Sequence, residues 1–97
     1  MRMLMKVSIP IEAGNKAVKD GTISKIIGDT MERLHPEAAY FGPDEGKRTA
    51  YFFFDMKDSS QIPSAAEPFF MGLNAEIELT PVMNAEDLKT GLAALKR

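Results

Sequence analysis

From Arg2 to Ile9 the chain alternates, with Met3, Met5, Val7 and Ile9 on one face and Arg2, Leu4, Lys6 and Ser8 on the other. This predicts a strand with one apolar face, ended by Pro10. A polar stretch around Gly14 and Asn15 then leads into a helical pattern that runs to Leu34, where Ile23, Ile26, Ile27, Met31 and Leu34 recur at spacings of three and four. Asp20-Gly21-Thr22 predicts a break into a short piece and a longer one, with Thr22 as cap of the second. His35-Pro36 closes it, because the residue before proline is pushed out of the helical region.

Ala38 to Phe41 reads as a short strand and Pro43-Asp44-Glu45-Gly46 as a turn. The returning arm, Lys47 to Asp55, sets Ala50, Phe52 and Phe54 on one face and Tyr51, Phe53 and Asp55 on the other. Both faces are largely apolar, so this strand is expected to be central and covered on both sides. Lys57-Asp58-Ser59-Ser60 supplies caps for a helix whose Ile62, Ala65, Ala66 and Phe69 share a face, with Pro63 in its first turn. Pro68 is expected to kink or end that helix. Ala75 to Met83 alternates again, and Pro81 within it predicts an edge strand. Asn84 and Asp87 start a last helix with a narrow stripe of Leu88, Leu92 and Leu95, and Lys96 and Arg97 suit its negative end.

The order strand, helix, strand, strand, helix, strand, helix predicts an α+β fold. Right-handed crossovers on either side of a hairpin give a ferredoxin-like βαββαβ sheet of four antiparallel strands, plus an extra C-terminal helix. Two helices cover one sheet face only. The other would expose Leu4, Lys6, Tyr51, Phe53, Glu76 and Glu78, and two aromatics there call for a second sheet to cover them.

Composition narrows the classes. Ninety-seven residues, 44% hydrophobic and 27% charged, describe one domain spanning residues 1–97. A net charge of −2 gives no overall attraction for nucleic acid or anionic membrane. Without cysteine there is no disulfide or thiolate metal site, and a reducing cytoplasm is the expected address. Lys6 interrupts the opening apolar run too early for a signal peptide or membrane span.

The element order and the ending Ala75-Glu76-Ile77-Glu78-Leu79-Thr80-Pro81-Val82 resemble the dimeric α+β barrel superfamily, which includes muconolactone isomerases, YCII-related proteins, antibiotic-biosynthesis monooxygenases and stress-responsive barrel proteins. The muconolactone isomerase likeness runs from Phe54-Asp55 to Ile77-Glu78 and Thr80-Pro81, and the whole chain is similar to short bacterial proteins of the same superfamily. The resemblance implies a homodimer of two face-to-face sheets, with pockets for small, often aromatic or lactone, substrates and no metal or organic cofactor. The matching residues read as structural. The His-Asp pair of YCII-type proteins has no counterpart, since His35 is the single histidine.

Candidate chemistry is sparse. Lys47 to Phe54 fits the third strand of an RNA-recognition motif at Lys47, Ala50, Tyr51 and Phe54, but Arg48 replaces its glycine and Thr49 its stacking aromatic. RNA binding is therefore not expected. Glu76 and Glu78 emerge on one face about 7 Å apart, either as an acid-base pair or as a solvated face with Lys6 as cross-strand partner. Proton transfer would fall to Glu78, Lys6 or His35, although a histidine at a helix end also serves as a cap. Tyr40, Tyr51, Arg48 and Phe69 are the candidates to bind a small organic substrate, with tyrosine and phenylalanine equally at home in packing. No serine elbow or phosphate loop is present. The expectation is a cofactor-independent isomerase or monooxygenase-like enzyme, or else a non-enzymatic small-ligand-binding or assembly module.

Overall fold

The computed structural model describes residues 1–95, so Lys96, Arg97 and their expected role at the last helix end lie outside the described residues. The elements are β1 (Arg2–Ser8), α1 (Ile11–Asp20), α2 (Thr22–Leu34), β2 (Ala38–Asp44), β3 (Lys47–Asp55), a 3-10 turn (Ser59–Gln61) running into α3 (Ile62–Leu73), β4 (Glu76–Pro81) and α4 (Ala85–Ala93). The strands form one antiparallel sheet in the order β2-β3-β1-β4. This is an α+β fold compatible with a ferredoxin-like sheet, and Pro81 does lie on an edge strand. Among the described residues no helix is long and apolar enough to cross a membrane.

One sheet face is sealed. Met3, Met5 and Val7 of β1 and Ala50, Phe52 and Phe54 of β3 are buried against Ala65, Phe69 and Leu73 of α3 and against the partly buried Ile23, Ile26, Ile27 and Leu34 of α2. Phe52 is the hub: its ring meets Phe69 at 5.8 Å and, edge-on, Phe41 at 5.8 Å. Such rings contribute both area and quadrupole contacts.

Several local expectations need correction. The helix begins at Ile11, so Gly14 and Asn15 lie within it. Thr22 caps nothing; Gly21, at φ 81°, makes the break, and the Asp20 carboxylate accepts the Thr22 N–H at 2.9 Å. Thr30, rather than Met31, takes the buried place on α2, because its hydroxyl donates to the Ile26 carbonyl at 2.8 Å and leaves only a methyl to pack. Strand β2 runs on through Pro43 to Asp44, and the turn shrinks to Glu45-Gly46, both at positive φ as a tight hairpin of this hand requires. Pro43 is tolerated because β2 is an edge. Likewise α3 continues past Pro68 to Leu73.

The last helix stands apart. Asn84 and Asp87 form a complete capping box, and Asp87 also binds Arg2 at 3.1 Å, which ties its first turn to β1. Beyond that turn Leu88, Leu92 and Leu95 are exposed, and α4 buries none of its residues. The chain measures 57 × 27 × 18 Å with a radius of gyration of 15.4 Å, against roughly 12.5 Å for a compact domain of this length.

Candidate functional site

Strand register assembles the site. Tyr40 pairs with Tyr51, Tyr51 with Lys6, and Lys6 with Glu78, so one row crosses all four strands on the face that no helix covers. The neighbouring row, Ala38, Phe53, Leu4 and Thr80, is mostly apolar. Tyr51, Phe53 and Leu4 are half-buried, whereas Tyr40 is exposed.

Asp44 joins this row from the end of β2. It shares the face of Tyr40, four residues back along the strand. One of its oxygens, Oδ2, lies 2.9 Å from Lys6 Nζ and accepts the Tyr51 hydroxyl at 2.8 Å. Lys6 therefore reaches across β3 to Asp44 and does not form the expected ion pair with Glu78. Glu78 lies directly opposite Lys6 and adds to the field that keeps it charged, yet makes no ion pair among the described residues.

The electrostatics hold Lys6, Asp44 and Tyr51 in their ordinary states. The hydrogen bond from Lys6, followed by that from Tyr51, lowers the Asp44 pKa below the usual carboxylate value. The bond to Asp44 raises the Lys6 ammonium, and the bond to Asp44 together with partial burial raises the Tyr51 phenol. At neutral pH the group is thus an ammonium, a carboxylate and a neutral phenol. It can orient and neutralise a polar partner, but none of the three is drawn toward giving up or taking a proton near pH 7.

The other predicted site residues lie elsewhere. His35 is the exposed left-handed C-cap of α2, at φ 44°, with its backbone N–H bonded to the Met31 carbonyl at 3.1 Å. Phe69 is fully buried in the core under α3. Arg48 belongs to the opposite layer: it reaches α1 and donates from Nη1 to Asn15 Oδ1 at 3.1 Å. Gly14 makes room for it, since a Cβ there would come within 2.8 Å of Arg48 Nη1 and 3.2 Å of Ile9 Cγ2. The structure thus brings together Lys6, Tyr51, Tyr40 and Glu78, adds Asp44, and separates Arg48, Phe69 and His35 from them. The signal for Asp44 was its even spacing from Tyr40, masked by reading Pro43 as a strand end.

Among the described residues no three His, Asp or Glu side chains converge as a metal ion would require. No family model matches this chain, and no curated protein or solved structure matches it either.

Proposed function

We propose that the chain acts as a homodimer in which two uncovered sheet faces pack together as an α+β barrel, forming a small-ligand-binding module. The observation that carries this reading is the state of that face. It offers half-buried Leu4, Tyr51 and Phe53, and its central charges already satisfy one another. Covering a charge is costly unless it arrives paired and hydrogen-bonded, and Lys6 and Asp44 arrive so. Glu76 and Glu78 sit on the edge strand β4, where they can stay at the rim of such an interface. A ligand held beside the row would meet the Tyr40 hydroxyl and the remaining Lys6 donors. The cytoplasm is the proposed address.

A second reading, a cofactor-independent isomerase or monooxygenase-like enzyme, draws on Glu78. It is the one carboxylate of the row without an ion-pair partner among the described residues, and its oxygens are therefore free to meet a substrate. The two readings separate on a panel of small aromatic and lactone acids. The module predicts thermal stabilisation without turnover, and replacing Glu78 by alanine leaves it intact; turnover lost in that variant would establish the enzyme. Assembly is tested by sedimentation of the parent chain and Phe53→Glu. The parent is expected to dimerise and the variant to stay monomeric and folded; equal association of the two would overturn the proposed face.

A further inference from the structure

On the helix side of the sheet, away from the Lys6 cluster, a groove of about 640 Å³ opens between α1, α2 and the β2-β3 hairpin. Its walls are aliphatic and aromatic: Ile11, Val18, Ile23, Ile27 and Phe41, with Ile11, Val18 and Phe41 more than half exposed. Its volume falls in the range of small-molecule sites, which combine apolar walls with a few fixed polar groups. Two cations line it, Lys47 and Arg48 of β3. Arg48 is the anchored one, its guanidinium held by the Asn15 side-chain oxygen in the space that Gly14 leaves on α1.

Arg48 forms no ion pair among the described residues; Asn15 is a neutral partner and uses one of its five N–H donors. An apolar groove lined by an anchored arginine and by Lys47, with no carboxylate in its lining, is complementary to a ligand with the reverse design. We propose that this groove binds an amphipathic carboxylate of medium chain length, with its apolar body along Ile23, Ile27 and Phe41 and its carboxylate forked onto Arg48. Planar, bidentate recognition of a carboxylate is what a guanidinium does better than an ammonium. The site lies on the layer opposite the proposed dimer face, so it stands or falls independently of oligomeric state.

The test uses the full chain with isoleucine methyl labels and decanoate below its micelle-forming concentration, with decan-1-ol as the uncharged counterpart. The expected result is saturable shifts of the Ile9, Ile11, Ile23 and Ile27 methyls, with Ile26, Ile62 and Ile77, which lie outside the groove, unmoved. Arg48→Gln is expected to weaken decanoate about tenfold or more, and Arg48→Lys to fall between. Equal binding of decan-1-ol, or an unaltered midpoint in Arg48→Gln, would overturn the assignment, as would shifts spread over all isoleucines. Groove methyls that move with protein concentration and ignore decanoate would also overturn it, by seating a second copy there.

Discussion

Replacing Phe69 separates two roles that the sequence left open, pocket wall and core keystone. Its ring is fully buried, lies 5.8 Å from that of Phe52, and joins α3 to the central strand β3. Truncation to alanine removes the transfer free energy of the ring and leaves a cavity that a close-packed core fills only in part, for a cost of about 3–5 kcal/mol. A domain of this size has a total stability of about 5–15 kcal/mol, so Phe69→Ala is expected to sit near the unfolding threshold. Phe69→Leu keeps most of the volume and loses the ring contact, about 1–2 kcal/mol, which corresponds to a fall in Tm of roughly 5–15 °C. Phe70, next along α3 and 41% exposed, is the control; its truncation is expected to cost less than about 1 kcal/mol. The assay is urea or thermal unfolding followed by circular dichroism at one fixed protein concentration, because self-association would otherwise shift the midpoint. Equal stability of Phe69→Ala and Phe70→Ala would refute the core role, for then Phe69 lines an open cavity and the helix face is not sealed.

Three further outcomes follow from the geometry. In a Tyr40→Phe background Tyr51 is the only phenol and there is no tryptophan, so near-ultraviolet tyrosinate absorbance reads it alone; adding Asp44→Asn is expected to lower its midpoint, and an unchanged midpoint would remove Asp44 from the cluster. The same contacts set the pH window of stability. Asp44, depressed, contributes above the ordinary carboxylate range and loses its contribution as pH falls through its lower folded value, below about pH 4. Lys6 and Tyr51, raised, contribute below their ordinary values and lose that contribution as pH rises beyond about 10. The loss at each extreme should shrink in Asp44→Asn when unfolding is measured across pH. Finally, a Cβ on Gly72 would come 2.5 Å from Ile26 Cδ1, so Gly72→Ala is expected to cost about 1 kcal/mol and Ile26→Val to offset part of it; additive costs in that double-mutant cycle would show that α2 and α3 do not touch there.

Alternation along Arg2–Ser8 and Lys47–Asp55 made the two central strands legible, since one buried face fixes a period of two. The capping box at Asn84 and the edge position of Pro81 were legible for the same reason: each is a local signal with a single structural meaning. What local patterns could not carry was context. Pro43 is a turn residue in most settings, and only its place on an edge strand lets β2 run on to Asp44, which then becomes the centre of the polar cluster. Thr30 reads as polar until its hydroxyl is seen bonded to the preceding turn. Arg48 and Tyr51 are close in sequence but project from opposite faces of β3, so a single site built from both was never available to the fold.

The proposed dimer has a second copy covering the Leu4–Tyr51–Phe53 face. A sample mixing isotope-labelled and unlabelled chains, read by isotope-filtered nuclear Overhauser spectroscopy, tests it most directly. Intermolecular contacts are expected among Leu4, Tyr51 and Phe53. The proposed dimer is contradicted by a sample that associates while those three show no intermolecular contact, or by one that stays monomeric at millimolar concentration.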